Sequence, residues 1–220
     1  MVTPRKLPIG IQDFEDLRTN GYVYVDKSAY VYRLANFGKP YFLGRPRRFG
    51  KSLFLSTLKA YFLGKKELFE GLAINEWERD WVEYPVIYID LNKESYQSVQ
   101  TLGDVLHEIL KKLEAEWGVT DIAATPPLRL DNLIQAACRK AGRKVVVLVD
   151  EYDKPLVNTL DKKELNEAMR NTLKGFYGVL KSADANLRFV MLTGVTKFSK
   201  VSVFSDLNHL VDISMDEEYA

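Results

Sequence analysis

The chain has 220 residues, with 31 Lys and Arg against 30 Asp and Glu and a net charge of +1. A balance this close to neutral sets up no global field toward nucleic acid, and an apolar content of 46% is enough for a core without staples. One cysteine, two histidines, no secretory start and no long apolar run exclude a disulfide scaffold, a zinc site and a membrane span, and predict a cytoplasmic protein.

The length fits one large domain. In chain order, Tyr22–Asp26 reads as strand and Ser28–Asn36 as helix ahead of Gly38. Pro40–Leu43 is short and apolar, fit for a first central strand. A helix is predicted over Ser52–Leu63, capped by Gly64, followed by a charged and partly helical connector over Lys65–Leu72. Trp77 and Trp81 stand four apart and predict a shared helical face used for packing. Val86–Asp90 is a second strand ending in an acid. Leu102, Val105, Leu106, Ile109, Leu110 and Leu113 repeat at helical spacing, so a long amphipathic helix follows.

Gly118–Pro127 reads as loop, then a helix from about Asp131 to Lys140 stops at Gly142 and carries Cys138 as a structural thiol. Val145–Asp150 is a strand apolar enough to be buried on both faces. Asp161–Ser182 is mostly helical, with Gly175 and Gly178 weakening it. Leu187–Leu192 is a further strand, leading into Thr193-Gly194-Val195-Thr196-Lys197. Strand and helix alternate, which predicts a parallel sheet with helices on both faces and right-handed crossovers.

Two motifs carry chemistry. Gly44-Arg-Pro-Arg-Arg-Phe-Gly-Lys-Ser52 directly follows an apolar strand and opens a helix. A helix N-terminus there turns backbone N–H groups and the helix dipole toward an anion. Arg47, Arg48, Phe49, Gly50, Lys51, Ser52 and Leu53 are the expected nucleotide-binding residues, with Gly50 admitting the phosphates close to the backbone. Lys51 would reach the β- and γ-phosphates and Ser52 would ligate Mg²⁺. The usual motif has four residues between its first Gly and Gly-Lys-Ser; here Gly44 is one position early and Arg45 stands in the glycine's place. Arg45, Arg47 and Arg48 either supplement the phosphate charge or shape the loop through carboxylate pairs.

The second motif is the Val145–Asp150 strand with Glu151 directly after it. Ligands gather at the carboxyl ends of such strands. Asp150 would hold Mg²⁺, directly or through water, and Glu151 would act as general base on an attacking water. Thr193, with Thr196 second, would hydrogen-bond that water or the γ-phosphate; the other reading is a turn with satisfied hydroxyls. Lys197 and Lys200 are electrostatic aids or solvated charges. No Asn-Lys-x-Asp element that would read guanine is present, so ATP is favoured over GTP.

With these strings in order, the chain resembles the AAA-ATPase-like family of bacterial and archaeal proteins, a branch of the P-loop ATPases. The resemblance rests on residues 7–14, Tyr24-Val25-Asp26-Lys27-Ser28, residues 45–52, Val149-Asp150-Glu151-Tyr152-Asp153-Lys154-Pro155 and residues 192–199. It implies a three-layer α/β/α sandwich with a mainly parallel sheet, and an Arg-Pro-Arg-Arg-Phe loop as the family's own phosphate loop. It also implies that the Thr193 strand lies between the phosphate-loop strand and the Asp150 strand, and that the segment 1–39, around Tyr24–Lys27, packs near the nucleotide. Relatives usually continue into a nuclease-like domain of the PD-(D/E)xK type, which is absent here; a truncated chain is the expectation. Arg170 and Arg188 are the only guesses for an arginine finger. The expected function is Mg²⁺-dependent ATP binding with slow hydrolysis driving a switch or assembly, by Lys51, Glu151 and Thr193. The alternatives are an ATP-gated binding module with negligible turnover and a small-molecule kinase. Besides ATP, the open partners are a second copy, the nuclease-like domain and nucleic acid, the last not indicated by charge.

Overall fold

The computed structural model describes residues 6–38, 40–120, 123–195, 203 and 210–219. Its strands are β1 (Tyr41–Gly44), β2 (Val86–Asp90), β3 (Val145–Asp150), β4 (Leu187–Gly194) and β5 (Val211–Asp212). They form one sheet in the order β2-β3-β4-β1-β5, and every pairing is parallel. The Thr193 strand, β4, therefore lies between β1 and β3, where the family resemblance puts it.

The helices among the described residues are α1 (Phe14–Thr19), α2 (Ser28–Phe37), α3 (Lys51–Phe62), α4 (Val99–Trp117), α5 (Pro126–Ala141), α6 (Lys154–Val157) and α7 (Lys163–Ser182). Alternate side chains of each strand leave the sheet on opposite faces. Val146, Leu148, Phe189 and Met191 pack with Leu55, Leu58 and Phe62 of α3 and with Val31 and Leu34 of α2. Val145, Val147, Val149, Val190 and Leu192 pack on the other face with Leu106 and Leu110 of α4, Leu133 and Ile134 of α5, and Leu173 and Phe176 of α7. The result is a three-layer α/β/α sandwich around an all-parallel sheet. Burial of β3 on both faces is why its sequence is an unbroken apolar run.

Several expectations are corrected. Tyr22–Asp26 is not a strand: Tyr22 makes a lone bridge with Lys6, and the chain then runs irregularly into α2. The Asp26 carboxylate accepts from Ser28 N and Ala73 N instead, which pins this stretch to the chain near residue 73 rather than to a sheet edge. Trp77 and Trp81 do not share a helical face. A 3₁₀ turn over Ala73–Glu76 ends there, Glu78 Oε1 accepts from Asp80 N and Trp81 N, and Trp81 has φ 46°. Both indoles still pack, Trp77 on Tyr32 and Trp81 on Tyr61 and Phe69. α5 begins at Pro126, ahead of the expected Asp131, because prolines suit a first helical turn whose N–H groups have no partner. α7 runs unbroken through Gly175 and Gly178. Thr196, Lys197, Lys200 and His209 lie outside the described residues.

At the end of β4, Gly194 has no room for a side chain. A Cβ there would stand 2.5 Å from Tyr152 Cε1 and 2.7 Å from Asp153 Oδ1. Gly194→Ala is expected to lower the unfolding free energy by about 1–3 kcal/mol, the range for overpacking. The check is a fall in the urea midpoint at unchanged slope.

Candidate nucleotide site

The sheet register brings the chemistry together. Gly44 pairs with Gly194, Leu43 with Thr193, and Asp90 with Asp150, so β1, β3 and β4 end side by side. The loop from β1 to α3 rises over these ends. Arg45 N donates to Gly194 O at 3.1 Å, and Gly44 N donates to Ser214 Oγ at 2.7 Å. The first helical hydrogen bond of α3 runs from Phe54 N to Gly50 O, so the N–H groups of residues 50–53 lie ahead of the helix ladder. Gly50 caps this end at φ 72°, and an added Cβ would meet nothing within 4 Å. Its value is thus the left-handed backbone together with an open approach. Arg48, at φ 68°, bears that conformation without being glycine.

Lys51 starts α3 and is only 4% exposed. Its Nζ stands 3.2 Å from Glu151 Oε1 and 3.3 Å from Pro46 O. An ammonium taken this far from water needs a counter-charge, and Glu151 provides it across the loop. Glu151 itself has φ 51°, a costly conformation for a residue with a long side chain.

Behind this pair the acids are braced. Thr193 is wholly buried; its hydroxyl donates to Asp150 Oδ1 at 2.5 Å and accepts from Glu151 N at 3.3 Å. Tyr88 OH donates to Asp150 Oδ2 at 3.4 Å. Burial, together with the Asp150 and Asp90 carboxylates, pushes the Tyr88 phenol far above its ordinary range, so it remains a donor. Tyr152 N bonds Thr193 O, and Val195 N donates to Asp153, locking the β3 and β4 ends together.

Two cavities flank the loop and share Gly50 and Leu53. One, of about 680 Å³, is lined by Arg47, Arg48, Lys51, Ser52, Glu151 and Lys154, among others. The other, of about 620 Å³, is mainly apolar, with Tyr24, Tyr30, Phe49, Phe54, Ile213 and Tyr219 on its walls. The segment 24–27 is held there by Asp26. Burial works to raise the Asp26 carboxyl pKa, but hydrogen bonds from Ala73 N, the Ser28 hydroxyl and Ser28 N outweigh it and leave it low. Asp13 ties α1 to α3: its Oδ1 caps Asp16 N and its Oδ2 accepts from Ser56 Oγ, which in turn accepts from Phe14 N.

The expected site residues thus divide. Arg47, Arg48, Gly50, Lys51, Ser52, Leu53 and Glu151 line the first cavity, and Phe49 lines the second. Asp150 and Thr193 sit behind the wall, each 4% exposed or less. Arg170 bonds Asn166 on α7 and Arg188 lies over the Tyr84 ring, and neither lines either cavity. Sequence reasoning missed Asn92, Tyr30 and Tyr219, which reach the cavities from other stretches of the chain, and gave no role to Lys154, which entered only within the family string 149–155. Ile9–Gln12 also lines the first cavity, having entered only as part of a family string.

The residues present fit a Mg²⁺–triphosphate. Ser52 and Asp150 offer hard oxygen donors, and among the described residues no cluster of three or more His, Cys, Asp or Glu could cage a metal. Mg²⁺ is commonly held by one or two side chains, with phosphate and water completing its shell.

The family model described as Predicted AAA-ATPase matches residues 8–204, and the chain belongs to that family. It is 44% identical over 219 residues to the "Uncharacterized protein in vnfD 5'region" of Azotobacter chroococcum mcd 1. The match covers 98% of this chain and 42% of that relative's length. No described helix is long and apolar enough to cross a membrane.

Proposed function

We propose that this member of the Predicted AAA-ATPase family binds ATP with Mg²⁺ along the loop 44–53 and hydrolyses it slowly to drive a conformational switch or an assembly step. The observation that carries the reading is the buried Lys51 ammonium at the head of α3, held against Glu151 at 3.2 Å. The triphosphate would lie in the cavity with Lys51, Ser52 and the arginines. The adenine would lie in the apolar cavity among Tyr24, Tyr30 and Phe54, joined to the phosphates across Gly50 and Leu53.

In this reading Lys51 leaves Glu151 for the β- and γ-phosphate oxygens. Ser52 and Asp150 would hold Mg²⁺, Asp150 directly or through water, and the ion would supply charge neutralisation at the phosphates. Glu151, freed from Lys51, takes a proton from a water whose oxygen attacks the γ-phosphorus while the bond to the β-phosphate oxygen breaks. Thr193 positions both acids through its hydrogen bonds. Arg47 and Arg48 supplement the charge. A cytoplasmic setting suits the composition. A second copy, or an attached nuclease-like domain of the kind the family resemblance implies, is the proposed recipient of the switch.

A second reading is an ATP-gated binding module with negligible turnover. The observation favouring it is that the Glu151 carboxylate is already engaged by Lys51. Both readings require binding through Lys51. Loss of a charge-assisted hydrogen bond predicts that Lys51→Ala weakens MgATP about 10- to 100-fold in a calorimetric titration. A folded wild type that binds no MgATP, or a Lys51→Ala protein with unchanged affinity, contradicts both.

A further inference from the structure

We infer that Lys154 is a further phosphate-facing cation, set to meet the γ-phosphate from the Glu151 side of the cavity rather than from the loop 44–53. The inference rests on the nucleotide reading above and deepens it.

Lys154 lies three residues after Glu151, and its N–H donates to Glu151 O at 3.0 Å. Its backbone is therefore locked to that of the general base. The surrounding residues fix it further: Asp153 is wholly buried and accepts from Val195 N, and Pro155 is buried in the first turn of α6. From this anchored start the side chain reaches across the end of β2, where Nζ donates to Asn92 Oδ1 at 3.0 Å. Lys154 and Asn92 both line the cavity that holds Lys51, Ser52 and Glu151.

The partner is the telling feature. Lys51 is neutralised by Glu151, whereas Lys154 rests on a neutral amide, and among the described residues no carboxylate pairs with it. An uncompensated cation held on a polar crutch inside a cleft can be given up to an incoming anion at little cost. The other cations of the cavity, Arg47, Arg48 and Lys51, belong to the loop and the head of α3. Lys154 is the one that comes from the Glu151 side. Charge on the transferred phosphoryl group spreads over its equatorial oxygens, so a cation on that side is placed to stabilise it.

The test compares wild type, Lys154→Met and Lys154→Arg as ligands are titrated in: MgADP, MgATP, and MgADP with aluminium fluoride as a mimic of the transferring phosphoryl. Lys154 is partly exposed, and a thermal melt checks that each variant is folded. The expected result is that Lys154→Met binds MgADP within about twofold of wild type but loses about 10- to 100-fold on the fluoride complex, the value of one charge-assisted hydrogen bond. Lys154→Arg recovers part of that loss. Equal weakening of MgADP and the fluoride complex, or no change in either, overturns the inference while leaving the nucleotide site in place. A wild type that binds none of the three overturns the nucleotide reading and the inference with it.

Discussion

Glu151→Gln is expected to leave MgATP bound and to stop phosphate release. The glutamine is nearly isosteric, so the strained backbone at φ 51° and the hydrogen bond from Glu151 N to Thr193 Oγ1 can persist. What disappears is the charge, and with it both functions of the carboxylate. It no longer takes a proton from water, which removes a contribution of about 10²- to 10⁴-fold in rate. Nor does it hold Lys51 in the 3.2 Å pair that competes with phosphate, so affinity for MgATP should be unchanged or higher. Single-turnover phosphate release alongside calorimetric titration separates the two effects. Release within about tenfold of wild type would contradict general-base catalysis by Glu151, given the size of that contribution. A wild type as slow as the variant would favour the ATP-gated module.

The largest effect on stability is expected away from both cavities, between α4 and α5. Arg129 and Glu114 are 6% and 3% exposed. The guanidinium grips the carboxylate with two bonds, Nε to Oε1 at 2.8 Å and Nη2 to Oε2 at 2.6 Å. Nη1 is also in hydrogen-bond contact with His107 Nδ1. If Arg donates there, His107 carries its proton on Nε2. Glu114→Ala leaves this cation buried without its counter-charge, and is expected to destabilise by about 3–5 kcal/mol. The joint replacement Glu114→Leu with Arg129→Met removes both charges, and should recover most of that loss because each ion's desolvation penalty goes with it. Urea unfolding of wild type, single and double variants checks this. A single variant within about 1 kcal/mol of wild type, as for an exposed pair, would contradict it. Neither residue lines either cavity, so ATP affinity should not follow the change in stability.

Much of this architecture is legible in the chain because it rests on local pattern. Five consecutive apolar residues ending in Asp150 mark a strand buried on both faces, and the order of strand, Gly-Lys-Ser and helix marks the loop. What the pattern misreads is decided by tertiary partners or by the position of punctuating residues. Tyr22–Asp26 has the composition of a strand, yet Asp26 spends its carboxylate on Ser28 N and Ala73 N. The two prolines at 126 and 127 look like loop residues but begin α5. Trp77 and Trp81 have helical spacing, but Glu78 takes the N–H groups that a helix would need. β5 is two residues long, too short for any periodicity to register.

The site shows the same division. Lys51, Ser52, Asp150 and Glu151 stand in recognisable strings. Asn92 reaches Lys154 from 62 residues away, and Tyr219 closes onto Tyr30 from the far end of the chain, so only the folded sheet brings them together. Thr193, read from the sequence as a partner for water or the γ-phosphate or as a satisfied hydroxyl, is wholly buried with its hydroxyl on Asp150 and Glu151 N, a placement that follows from β4 running between β1 and β3.

The most direct test of the nucleotide reading is hydrogen exchange of the folded protein with and without MgATP, followed peptide by peptide. The account predicts slowed exchange at residues 44–57, at 24–30 around the apolar cavity and at 150–154, with α4 and α5 unchanged. Binding of MgATP without protection at 44–57, or protection confined to another face of the sheet, would contradict it.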